Sequence, residues 1–150
     1  MSQFKNNPDF NLYYSDTDSA YIDKPLSADL VSDTELGKMK LENICKEAIF
    51  LSPKVYCLLK EEGKIIYKVK GLSHNVELTM DDFENLLNKE SFIKKSQTKW
   101  IKNLSEGHIS LIKQLYTLKV TDNKRKLVFK NGKLINTTPY IINFDKKVMN

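Results

Sequence analysis

One stretch, Asn11-Leu12-Tyr13-Tyr14-Ser15-Asp16-Thr17-Asp18-Ser19-Ala20-Tyr21-Ile22, constrains the fold more than any other. Apolar and aromatic residues flank a turn-prone Ser-Asp-Thr-Asp-Ser centre, which reads as a strand, a tight turn and a returning strand. Phe10 to Tyr14 and Ala20 to Ile22 form the two arms, and Asp23-Lys24-Pro25 ends the second. The turn carries Asp16 and Asp18 to a hairpin tip, where burial neutralises neither and both are able to bind a hard divalent cation.

An Asp-x-Asp in a turn has more than one reading. Favoured turn residues occur together by chance, so a plain surface turn stays open. A calcium loop is excluded, because the spacing demands an acid or amide at Ala20, Gly at Tyr21 and Glu at Ser27. A glycosyltransferase-like site, binding a nucleotide sugar through one metal, is the chemical rival. It calls for a nucleotide-binding α/β sheet, and the chain shows no βαβ alternation.

The remaining segments point to an α+β class with a largely antiparallel sheet. Asn6-Asn7-Pro8-Asp9 is a turn signal, and Leu26 to Thr34 holds one or two helical turns capped by Ser27 or Ser32. Lys38-Met39-Lys40-Leu41-Glu42 alternates strictly after Gly37, predicting a strand with Met39 and Leu41 inward; Leu41, Ile44, Cys45 and Ala48 also fit a helical face. Lys54 to Leu59 and Lys64 to Val69, around Glu61-Glu62-Gly63, predict a hairpin. Thr79-Met80-Asp81-Asp82 is a capping box opening a helix from Met80 to about Lys89, and it marks the expected boundary between subdomains 1–80 and 81–150. Ile109 to Val120 reads as a long strand, Thr121 to Lys124 as a turn and Arg125 to Phe129 as the returning strand, with Asn131-Gly132 the strongest hairpin signal of all. Together these give a helix followed by a β-meander, with Trp100 and Phe129 expected in its core.

Composition narrows the function. A chain of 150 residues, 41% hydrophobic and 29% charged, buries one modest core or two small ones. Its longest apolar runs fall far short of a bilayer span, and Met1 to Phe10 has no signal-peptide pattern. Cys45 and Cys57 lack metal-type spacing and read as free thiols in a reducing compartment, so the glycosylation patterns at Asn103 and Asn136 read as coincidental. Residues 1–80 hold 10 lysines against 12 acids, whereas residues 81–150 hold 14 basic against 7 acidic side chains. A basic segment joined to an acidic, metal-competent one suits a polyanion gripped by the first and processed by the second. AT-rich coding produces the same lysine and asparagine bias without any functional cause.

The residues around the aspartates add a resemblance. Tyr14-Ser15-Asp16-Thr17-Asp18-Ser19 resembles the Y-x-D-T-D-S signature, motif C, of family B DNA polymerases. Further on, Pro53-Lys54-Val55-Tyr56 is similar to the K-x-Y motif that follows it there, and Leu36 to Glu42 resembles the segment between. Lys70-Gly71-Leu72 and the helix start at Thr79 resemble the end of the palm in the protein-primed branch of bacteriophages and linear mitochondrial plasmids. Three motifs in order are much more specific than one.

The resemblance implies a distal palm with the motif C hairpin, followed by a small thumb. In it Asp18 is a catalytic metal ligand, Asp16 its supporting acid, and Tyr14 and Ser19 lie at the incoming nucleotide. Lys54 and Tyr56 hold the primer end, while Lys124, Arg125 and Lys126 contact DNA from the basic part. The implied cofactor is a pair of Mg²⁺ ions, and the implied partners are primer-template DNA, a dNTP and a terminal protein that primes synthesis. A mitochondrial or other intracellular location goes with that branch.

Departures qualify the likeness. Ala20 stands where the family has a larger aliphatic, and D-x-x-S-L-Y-P, K-x-x-x-N-S-x-Y-G and any exonuclease segment are absent from this sequence. The expectation is a C-terminal third or less of a polymerase, inactive alone unless a separate polypeptide supplies the missing palm and fingers. A non-catalytic nucleic-acid-binding remnant is the alternative.

Overall fold

Val55 and Cys57 bury side chains on one face of β4 (Val55–Lys60) and Leu58 on the other, which makes this strand the centre of its sheet. The structure, a computed structural model, describes residues 1–122 and 125–140. They divide into two units, one comprising Met1–Gly71 with Leu78–Met80, the other Leu72–Glu77 with the residues from Asp81 onward. The class is α+β, with every named strand paired antiparallel.

In the first unit β4 lies between β3 (Cys45–Ser52) and β5 (Ile65–Val69). Two short connections dictate that order. Pro53-Lys54 closes β3 on β4, and a loop with Gly63 at φ 83 closes β4 on β5, as the β-rich runs predict. A separate hairpin joins β1 (Leu12–Asp16) to β2 (Ser19–Ile22). The helical turn expected near Ser27 is a single 3-10 turn, Ala28–Leu30, and the approach to β1 holds a short helix, α1 (Ser2–Lys5), that buries Phe4. Both cysteines are free, and burial pushes the Cys57 thiol up to about 11.

One expected strand moves. Lys38 to Glu42 forms no strand and no helix; Met39 makes only an isolated bridge to Val31, exchanging backbone bonds with Leu30 and Ser32. The alternation there has no buried face to satisfy, since Leu36 is 99% exposed and Leu41 and Ile44 also face solvent. The strand begins instead at Cys45, where Ile49 and Leu51 reach the core.

All of α2 (Met80–Leu86) but its first residue belongs to the second unit, and Asp81 and Asp82 lie in its first turn, where the helix dipole favours them. Phe83 and Leu86 are fully buried. The helix stops short of Lys89 because Asn88 bridges to Lys133, and Gly132 and Leu87 carbonyls accept the Lys89 and Leu134 amides. Two hairpins follow: β6 (Ile93–Asn103) with β7 (His108–Leu118), and β8 (Lys126–Lys130) with β9 (Lys133–Thr138). The long strand at Ile109 thus returns to β6, a segment given no element from its sequence, and not to Arg125–Phe129. The turn predicted at Asn131-Gly132 is present, with both residues at positive φ. The turn predicted over Thr121–Lys124 falls partly outside the described residues.

Trp100 is not a core residue. It is 73% exposed on the β6–β7 ribbon, while Phe129 is half-buried. The ribbon is anchored at its base, where Leu118 is buried and the buried Gln97 side-chain carbonyl accepts the Ser73 amide at 2.8 Å. Lys95 pairs there with Asp82 at 3.7 Å.

Candidate functional site

The β1–β2 hairpin is shaped by three local features. Its register shifts between Leu12 and Tyr14, so Tyr13 bulges outward and Tyr14 is set opposite Tyr21. At the open end Asp23 accepts both the amide and the side-chain N–H of Asn11, at 2.8 and 2.7 Å. At the tip Asp16 pairs with Ser19, leaving Thr17 and Asp18 as a two-residue turn. Thr17 takes φ 55, a conformation that strains a β-branched residue. Ser19 Oγ donates to the Asp16 carbonyl at 3.0 Å and Thr17 Oγ1 to the Asp16 carboxylate at 3.3 Å, which holds the tip closed. Asp18 is exposed beside it.

A second turn meets this hairpin. Proline then a positive-φ residue is the pattern of a type II turn, and Lys54, at φ 63, stands where glycine is favoured. The Lys54 amide donates to Tyr14 Oη at 2.8 Å, and its Nζ lies 2.6 Å from Asp16 Oδ2. One lysine, 38 residues beyond its acid, is therefore fixed at both backbone and side chain by the first hairpin.

Four rings set the distance between the two turns. Tyr14 stacks on Phe50 with centroids 5.0 Å apart, and Tyr21 and Tyr56 close the cluster at 5.4 to 5.7 Å from Tyr14 and from each other. Each such pair is worth about 0.5–1.5 kcal/mol beyond area burial. Burial raises the Tyr14 hydroxyl above its ordinary range, with the Lys54 amide opposing, and burial with a hydrogen bond that Tyr21 donates to Tyr56 raises Tyr21 further. The Tyr14 and Tyr21 hydroxyls therefore stay protonated at ordinary pH. The Lys54 ammonium holds the Asp16 carboxyl below its usual range, and Asp16 in turn holds Lys54 above its own.

Of the predicted site residues, Tyr14, Asp16, Ser19, Lys54 and Tyr56 are gathered here, with Asp18 at the exposed tip. Arg125 instead donates to Thr137 Oγ1 and carbonyl at 2.7 and 2.8 Å, and Lys126 is exposed on β8. Lys124 lies outside the described residues. Tyr21 and Phe50 were not singled out from the sequence. The two-residue turn places Tyr21 across from Tyr14, a legible signal, whereas Phe50 was hidden by the misplaced strand.

The donors suit a hard cation in kind and fall short in number. Two carboxylates stand on one tip, and no group of three or more His, Cys, Asp or Glu able to hold a metal occurs among the described residues. Asp16 and Asp18 by themselves do not complete a cation cage.

The chain is similar to fungal proteins named "Probable DNA polymerase". That of Ascobolus immersus is 37% identical over 93% of this chain, that of Neurospora intermedia 37% over 74%, and that of Podospora anserina 32% over 86%. The chain spans only 11 to 12% of the length of these relatives. No family model matches the chain, and no solved structure matches it significantly.

Proposed function

We propose that this chain is the distal palm and thumb portion of a family B DNA polymerase of the protein-primed type. The observation that carries the reading is the joining of two hairpins at one point, where Lys54 touches both Tyr14 and Asp16. The names of the fungal relatives support it. In the whole enzyme Asp18 and Asp16 would hold Mg²⁺, which when bound activates the primer 3′-hydroxyl and screens the charge of the phosphates. Asp18, exposed and without a paired cation among the described residues, is the ready ligand. Asp16 is already neutralised by Lys54 and acts in support. Lys54, still 62% exposed, presents positive charge toward a primer phosphate, and Tyr14 keeps its strained turn in place. The remaining acids and the fingers come from sequence outside these 150 residues, as does any terminal protein that supplies the first hydroxyl.

The reading predicts that the purified chain binds a labelled primer-template duplex without extending it. The logarithm of the affinity falls linearly with log salt, with a slope of about −0.9 per phosphate contact. Fluorescence anisotropy across a salt series and a gel assay with dNTP and Mg²⁺ measure the two. Extension abolished by Asp18→Ala overturns the claim of inactivity, and absent binding at low salt overturns the DNA reading. A non-catalytic remnant is the second reading, favoured by the short supply of carboxylates among the described residues. Restoration of activity by the missing segments supplied in trans rules it out.

A further inference from the structure

We propose that Trp100 on the β6–β7 ribbon is a stacking platform for an unpaired base, flanked by Lys102 and Lys113 as phosphate contacts. The inference rests on the polyanion reading above and names the form of nucleic acid this unit takes, a single strand.

Side chains of a two-stranded ribbon divide between two faces by register. Trp100 pairs with Leu111, and on the same face follow Lys102 opposite Ile109 on one side and Thr98 opposite Lys113 on the other. Leu111, with its Cβ about 5 Å from that of Trp100, forms an apolar floor beside the ring. Lys102 and Lys113 stand about 7 Å along the ribbon from the Trp100–Leu111 pair, in opposite directions. Trp100, Leu111 and Ile109 are all exposed, as is Leu115 further along this face.

Charge selects the occupant. Neither β6 nor β7 contains an Asp or Glu, and Lys102 and Lys113 have no carboxylate partner among the described residues. A protein surface packed on the apolar strip would bury lysines that interfaces generally exclude. A nucleic-acid strand satisfies both features at once, with a flat base on the indole and phosphates on the ammonium groups. In a duplex the base faces are already stacked, which leaves the ring without a partner.

Trp100 is the sole tryptophan of the chain, so fluorescence excited selectively at the indole, beyond tyrosine absorption, reports on this position alone. The full chain is titrated at low salt with an end-labelled oligothymidylate of about 12 nucleotides, within the usual site sizes, and with a duplex of equal length. The expected result is quenching that saturates together with the anisotropy on the single strand and is weak on the duplex. Trp100→Leu raises the Kd for the single strand about tenfold, within the range of one base–aromatic stack, and leaves duplex binding within about twofold. Trp100→Phe recovers part of the loss. Binding without quenching, or Trp100→Leu binding the single strand as tightly as wild type, overturns the inference and leaves the polyanion reading intact. Failure to bind either nucleic acid overturns both. Quenching by phosphatidylserine vesicles in place of DNA, or a dimer lost in Trp100→Leu, assigns the face to a different occupant and also overturns it.

Discussion

The β1–β2 hairpin and the β6–β7 ribbon are both two strands and a turn, yet they do opposite things with their side chains. The first has strands of five and four residues, turns its rings onto those of a second hairpin, and fixes one carboxylate against a lysine. The second has strands of eleven residues each, carries no carboxylate in either strand, and leaves an indole and several aliphatic side chains in solvent. A short hairpin held from outside becomes an aiming device. A long one, anchored at its base, becomes a surface.

Truncation exposes that contrast most strongly. Leu58, buried in the centre of the first unit, should cost about 3 kcal/mol or more when changed to Ala, whereas Trp100→Ala should stay within about 0.5 kcal/mol. Urea midpoints followed by far-UV circular dichroism measure both. Equal costs would mean that the outer face of the ribbon is covered, and the comparison would fail.

Tyr14→Phe keeps the ring cluster and removes only the acceptor of the Lys54 amide. A loss of about 1 kcal/mol is expected, the usual worth of one hydrogen bond. Faster amide exchange at Lys54, with Ile49 and Cys57 unchanged in the adjoining ladder, locates the effect. Exchange rising along the whole of β3 and β4 would show that Tyr14 supports the sheet and does not aim the turn.

The smallest effect is that of pH on the exposed Asp16–Lys54 pair. The Asp16 pKa is lowered on folding, so its contribution is present above the unfolded value near 3.9 and fades as pH falls through the folded value. The Lys54 pKa is raised, so its contribution is full below about 10.4 and fades as pH rises through the folded value. The stability difference between wild type and Lys54→Met should therefore be level from about pH 5 to pH 9 and shrink at either end. A difference that peaks sharply inside that window would point to another titrating group.

The legible parts of the sequence were those where local chemistry acts alone. Asp16-Thr17-Asp18, the Gly63 loop, Asn131-Gly132 and the Asp81-Asp82 helix start each carry their own turn or cap, and each formed as read. What failed depended on pairing. The alternation at Lys38–Glu42 gave no sign that it lacked a strand to meet, and the lysines of β6 masked a strand whose partner, β7, was already visible. Trp100 was misread for a related reason, since hydrophobicity indicates what a side chain avoids and not whether the fold offers it shelter. The contact of Tyr14 with Lys54 was out of reach, because it depends on a bulge and a strained turn meeting in space.

The outer edges of β6 and β7 carry a final consequence. Among the described residues neither strand pairs beyond its partner, so the ribbon offers rows of open backbone groups along with its aliphatic side chains. Such edges zip onto one another unless something keeps them apart, and lysine is the residue that natural sheets use for this. Five lysines line these two strands and only Lys95 is paired with an acid among the described residues, so mutual repulsion keeps neighbouring molecules from adding strand to strand. That protection is screened over about 10 Å at 0.1 M salt and over about 3 Å at 1 M. The same brine that strips a polyanion from the ribbon thus removes its colloidal safeguard, and the chain is best handled dilute or with its ligand in place.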